Sequence, residues 1–183
     1  LIGCPQDEGV RRNGGRVGAA SAPDEIRRCL YKLVAPEAMR LFDLGNTTIL
    51  DTLEATHAAH QTVIEQLLRD GKKVISLGGG NDIAYPDCAA LSAVDGKDIL
   101  VLNIDAHLDV RESAQRHSGT PYRQLLDGGH INPRNFHETA YQPFAVAESH
   151  LAYLKGLGAH AYSIDSVKAD TVGVFYRALT YVN

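Results

Sequence analysis

The sequence predicts an α/β fold in which a mainly parallel sheet is covered on both faces by helices. Two observations carry that prediction. Short apolar runs at 73–77 and 99–104 each end in a polar cluster, Gly78-Gly79-Gly80-Asn81-Asp82 and Asp105-Ala106-His107-Leu108-Asp109. Such runs alternate with stretches of helical periodicity, and alternation of that kind builds parallel sheets whose ligands bind beyond the carboxyl ends of the strands.

The elements follow in order. Leu1 to Cys4 is apolar with no preceding cap or turn, so it reads as the tail of a buried strand whose beginning is absent. Ser21-Ala22-Pro23-Asp24 reads as a helix start, with Ser21 as N-cap and Pro23 in the first turn, and the helix runs to about Leu33. A short strand is expected at Arg40–Leu44. From Thr52 to Asp70, apolar positions recur at helical spacing (Leu53, His57, His60, Val63, Ile64, Leu67, Leu68), and Gly71 supplies the stop. The strand at Lys73–Leu77 leads to a helix over Ile83–Ser92, and the strand at Ile99–Ile104 repeats the pattern. Helix is expected at His150–Leu157, extended chain at Ala159–Ile164, and a closing helix at Thr171–Tyr181.

A chain of 183 residues accommodates one domain with one core, spanning 1–183. The net charge of -4 argues against a broad nucleic-acid-binding face, because affinity there rests on neutralising phosphates. A small-molecule partner is expected instead. No apolar run approaches the roughly 18–20 residues that span a bilayer, and the first residues carry no signal-peptide pattern, so the expected location is cytoplasmic. Three cysteines, Cys4, Cys29 and Cys88, lack C-x-x-C spacing and read as reduced thiols, with Cys29 in the core.

Asp105-x-His107-x-Asp109 puts three ligand-type side chains at alternate positions of an extended segment, which would turn them to one side. Carboxylates with an imidazole suit Mn²⁺ or Zn²⁺ better than a thiolate-seeking metal. Asp165, after another apolar segment, is a candidate to complete the set. The plainer alternative is that acidic residues after strands simply cap helices. Of the other histidines, His57 and His60 read as packing or surface groups, and His117 as either a proton relay or a surface residue.

Asn103-Ile104-Asp105-Ala106-His107-Leu108-Asp109 resembles the D-A-H-x-D signature of the arginase-like amidinohydrolases, which include arginases, agmatinases and formimidoylglutamases. Within that family, the segment from Asp7 to Ala20, the Gly78-Gly79-Gly80-x-Asp82 string and Ser118-Gly119-Thr120-Pro121-Tyr122-Arg123 are similar to formimidoylglutamases. The resemblance implies a three-layer α/β/α fold with two Mn²⁺ ions at the carboxyl edge of the sheet. Asp105 would bridge the ions, with His107 on one and Asp109 on the other. A hydroxide between them, held by Asp109, would attack N-formimino-L-glutamate and release L-glutamate and formamide. His107 and Asp109 are therefore the catalytic candidates. Arg123 is the first candidate to clamp a substrate carboxylate, and Arg11, Arg12, Arg16 and Arg111 are weaker ones. Ser118 and Thr120 belong to the same loop, as substrate contacts or as shapers of the turn. Relatives imply a homo-oligomer, trimer or hexamer.

Two departures stand out. The family places a metal-binding His where this chain has Asn81, a weaker or lost ligand. Where the family has D-x-D before a string like Ser166-Val167-Lys168-Ala169-Asp170, this chain has Ser163-Ile164-Asp165, so Asp165 matches the second Asp only. The late start, a short stretch between Leu157 and Ser163, and Asp170 running directly into the terminal helix suggest that residues are missing between about 157 and 171. Three readings stay open: a formimidoylglutamase, an arginase or agmatinase, and a catalytically silent homologue that serves as a scaffold or binding subunit.

Overall fold

In the computed structural model, which describes residues 1–180, every strand pairing is parallel. β1 (Ile2–Cys4) pairs with β2 (Ser76–Gly78) in the register Ile2↔Ser76 and Cys4↔Gly78. β3 (Val101–Ile104), β4 (Phe136–Tyr141) and β5 (His160–Ser163) form a second sheet with β4 in the centre. The expected parallel sheet is thus present in two pieces, and each polar cluster sits beyond a carboxyl end, 78–82 after β2 and 105–109 after β3.

The helices are α1 (Glu8–Arg12), α2 (Ala22–Leu30), α3 (Leu53–Arg69), α4 (Ala84–Asp95), α5 (Pro121–Asp127), α6 (Glu148–Leu157), α7 (Ile164–Ala169) and α8 (Thr171–Thr180). The expected end of the last helix at Tyr181 lies outside the described residues. None of the described helices is long and apolar enough to cross a membrane. The main core joins Val101 of β3 and Phe136 of β4 to Tyr122 and Leu125 of α5 and Leu154 of α6, all buried. A smaller cluster packs Ile2 of β1 against Ile64 of α3 and Ala90 of α4.

α3 shows how local sequence sets these boundaries. Thr52 is extended, and its hydroxyl accepts a hydrogen bond from the Ala55 amide at 3.1 Å. Gly71, with φ +69, takes the left-handed conformation just past the other end. Thr52→Ala removes the cap partner and should lower stability by about 1 kcal/mol in urea unfolding.

Three expectations need correction. Arg40–Leu44 is not a strand; the chain meets β1 later, where Leu44 N–H donates to Leu1 O (3.0 Å) and Thr47 N–H to Gly3 O (2.7 Å). Gly45, with φ +75, and the Arg27 guanidinium bonded to Gly45 O and Asp43 keep that stretch irregular. α2 ends at Leu30 rather than Leu33, and Ser21 sits at its N-cap position in αR conformation with no side-chain cap bond. Cys29 is exposed, while burial pushes the Cys4 and Cys88 thiols up to about 12. Of the two readings for His57 and His60, packing holds: both are buried, and they are hydrogen-bonded as well, His60 reaching Thr47 Oγ1 at 2.6 Å and Asp87 Oδ1 at 3.1 Å.

Candidate functional site

Beyond β3 the chain leaves the sheet and turns back on itself. Asp105 Oδ1 accepts from the His107 backbone N–H at 2.7 Å and lies 3.1 Å from His107 Nδ1. The three residues of the D-x-H-x-D string therefore reach one cleft through a turn, not through strand alternation. The turn ends at Asp109, whose φ of +48 is left-handed, a conformation that Asp and Asn tolerate better than other residues with a side chain.

The cleft holds about 600 Å³ and is lined by Asp105, His107 and Asp109 on one side and Asn81 on another. Asn81 opens the 3-10 turn after β2, and its amide Nδ2 donates to Asp109 Oδ2. Burial, and secondarily the Asp105 carboxylate, push Asp109 up to about 7. Arg111, Ser118, Ala145–Ala147 after β4, and His150 in α6 complete the lining.

A divalent cation is what this donor set asks for. Two carboxylates share one wall with an imidazole whose Nδ1 is engaged by Asp105, which leaves Nε2 as its ligand atom. Burial is the main reason that Asp109 is raised, and the Asp105 carboxylate adds to it, so a cation would relieve both. In donor chemistry the residues fit a hard metal ion. In geometry they are not preassembled, because among the described residues no three His, Cys, Asp or Glu side chains form a group that could hold an ion.

The arginase family profile matches residues 1–183. The chain belongs to the arginase family. It is 38% identical over 152 residues to the formimidoylglutamase of Salmonella heidelberg, covering 81% of this chain and 48% of that one. With the Klebsiella pneumoniae formimidoylglutamase it shares 39% over 142 residues, 76% of this chain and 45% of the relative. Among solved structures, Trypanosoma cruzi formiminoglutamase with Mn²⁺ superposes with a TM-score of 0.93 at 33% identity, covering 100% of this chain and 65% of that chain. The three-layer arginase-like fold follows from that likeness. This arginase-family chain spans about half the length of the curated relatives it matches.

The remaining candidates divide by position. Ser118 lines the cleft and its Oγ accepts from Asn13 Nδ2 at 3.0 Å. Thr120 is buried and its hydroxyl bonds the His117 backbone, donating to its O at 2.9 Å and accepting from its N–H at 3.1 Å, so it shapes the turn. Arg123 is outside the cleft lining; in α5 it pairs with Asp127 at 2.5 Å, reaches Glu112 at 3.8 Å and lies over the Tyr153 ring. Arg12 is likewise committed elsewhere, to Glu8, Glu54 and the Arg116 carbonyl. Asp165 stands exposed in the first turn of α7, not in the cleft.

The cleft's cation is Arg111, one of the weaker sequence candidates, and its Nη1 donates to Asn13 Oδ1 at 2.8 Å. Glu112 and His150 had no sequence signal that set them apart from surface residues, and Asn13 lay in the similar segment from Asp7 to Ala20 without being singled out. Burial, then Arg111 and Arg123, hold His150 below the usual imidazole range.

Proposed function

We propose that this chain carries the metal-binding cleft of a Mn²⁺-dependent formimidoylglutamase, which hydrolyses N-formimino-L-glutamate to L-glutamate and formamide. The observation that supports it best is one cleft lined by two carboxylates, an imidazole and an arginine. The similarity to formimidoylglutamases supports the choice of substrate within the family. Asp105, His107 and Asp109 would hold metal, with Asn81 as a weak or lost ligand; Asp165 would join only if the chain around it rearranged. Bound Mn²⁺, two ions in the fullest form of the proposal, would supply Lewis-acid polarisation and lower the pKa of water.

The chain's own groups supply binding and proton handling. Arg111 offers a bidentate fork to a substrate carboxylate, and Asn13 holds that fork in place. Ser118, fixed by Asn13, presents its hydroxyl beside it. Asp109 keeps one oxygen on the Asn81 amide, which leaves Oδ1 for the metal ion. In the overall step, water adds to the formimino carbon, the bond to the glutamate nitrogen breaks, and that nitrogen takes a proton. A neutral His150 in the cleft lining can accept a proton at a ring nitrogen. A cytoplasmic location and trimeric or hexameric assembly belong to the same proposal, and light scattering checks the assembly.

Asn81, and the absence among the described residues of a ready three-ligand group, favour one second reading, a catalytically silent homologue. The test is release of formamide from N-formimino-L-glutamate by reduced protein with and without Mn²⁺, with arginine and agmatine as rival substrates. Mn²⁺-stimulated release is expected, and Asn81→His should strengthen it because imidazole is the better donor. No product under any condition, with no Mn²⁺ retained after dialysis, would reject the enzyme in favour of the silent homologue. Turnover of arginine or agmatine alone would reject the substrate.

A further inference from the structure

Behind the cleft lies a buried polar relay that the proposed chemistry does not use. Asp82 follows Asn81 directly and is 0% exposed. Its Oδ2 accepts from Gln6 Nε2 at 2.5 Å and lies 2.8 Å from His57 Nε2. The carboxylate is wedged so tightly that a Cβ on either Gly9 or Gly80 would collide with it. The other ring nitrogen, His57 Nδ1, is 3.2 Å from Arg116 Nη1. A guanidinium has no acceptor, so His57 Nδ1 must accept and the ring proton must sit on Nε2, aimed at Asp82.

Hydrogen bonds therefore run in one direction, from Arg116 to His57 to Asp82. Arg116 lies in the loop that brings Arg111 and Ser118 to the cleft. It is pinned three more ways: over the Tyr85 ring at 3.5 Å, to Gln124 Oε1 at 3.1 Å, and through its carbonyl to Arg12. The relay thus joins that loop to the turn bearing Asn81, whose amide faces Asp109.

We propose that Arg116 and His57 are positioning residues, which fix Asn81 and the Arg111–Ser118 loop relative to one another, so that only the Asp105–Asp109 turn has to rearrange when the metal ion binds. The inference rests on the proposal that Asp105, His107 and Asp109 bind Mn²⁺. Three measurements test it on the full chain: imidazole ¹⁵N shifts for the His57 tautomer, Mn²⁺ affinity by electron paramagnetic resonance, and urea unfolding without metal. The protein should show His57 in the Nε2–H tautomer alone. Arg116→Met should mix the tautomers and weaken Mn²⁺ binding about tenfold, as should His57→Phe. Arg116→Lys, which keeps a donor, should recover part of the loss. Val174→Ala, a core truncation in α8 that also destabilises, should leave Mn²⁺ affinity unchanged.

If the protein binds Mn²⁺ and Arg116→Met binds it no worse than Val174→Ala, the relay has no positioning role. If His57 carries its proton on Nδ1, the direction of the relay is wrong and the inference falls with it. Failure of the unaltered protein to bind Mn²⁺ would overturn the metal-site proposal, and this inference with it, whatever the tautomer.

Discussion

Asp109→Asn is expected to abolish Mn²⁺ binding and hydrolysis while making the metal-free protein more stable at pH 8. The two effects share a cause. Burial and the Asp105 carboxylate raise Asp109 to about 7 in the folded chain, whereas an unfolded aspartate loses its proton near 3.9. Between those values the folded state binds more protons than the unfolded one. Stability is therefore fullest below about pH 4 and declines as pH rises to about 7. Asn carries no such charge, accepts from the Asn81 amide as Asp does, and tolerates the left-handed backbone with φ +48. Urea unfolding after chelation should give the variant an advantage of about 1–3 kcal/mol at pH 8, less than the full shift because Asp109 is partly exposed. At pH 4 the advantage should nearly vanish. Glu138, which burial raises to about 9 with a smaller push from the Asp109 charge, adds a decline of its own with rising pH; losing that charge relieves Glu138 and adds to the variant's advantage at pH 8. Added Mn²⁺ should stabilise the unaltered protein and not the variant, since only a folded state that binds the ion gains from it. A pH-independent difference between the two would show that Asp109 is not under charge pressure.

The charged cluster around Asp109 was also the part of the site most open to reading from the sequence. β2, β3 and the polar clusters beyond them were legible because apolar runs ended abruptly in Gly and Asp. The central strand β4 was not. Its His137, Glu138 and Thr139 are all 0% exposed, so a polar string reads as surface although it is core. The burial is tolerable because Asn103 Nδ2 donates to Glu138 Oε2 at 2.8 Å and the His137 ring stacks on His160 at 4.4 Å. Such partners come from β3 and β5, which local pattern cannot supply. α5 was hidden differently, since Pro121 reads as a turn residue until its place in the first turn of a helix is known. In the cleft, the D-x-H-x-D residues were legible as types, but the turn that gathers them depends on a hydrogen bond from His107 N–H back to Asp105.

The arginines show the limit most sharply and give the second large effect. Sequence similarity favoured Arg123, yet its guanidinium is shared among Asp127, Glu112 and the Tyr153 ring, and Tyr153 OH donates to Asp127 Oδ1 at 2.8 Å. That cluster fastens α5 to α6 and has little left for a ligand. Arg111 lines the cleft and has Nη1 on Asn13. Under the proposed function, Arg111→Met should raise KM for N-formimino-L-glutamate by roughly 10–100-fold, the worth of a lost charge-assisted pair of about 1.5–3 kcal/mol. kcat should change far less, because the clamped carboxylate is remote from the formimino carbon and is held equally in ground and transition states. Arg111→Lys should recover only part of the affinity, since an ammonium cannot make the fork. Arg123→Met should instead lower the urea midpoint, with a small change in KM. If Arg123→Met raises KM more than Arg111→Met does at matched stability, the carboxylate is bound by α5 and the cleft must rearrange to admit it.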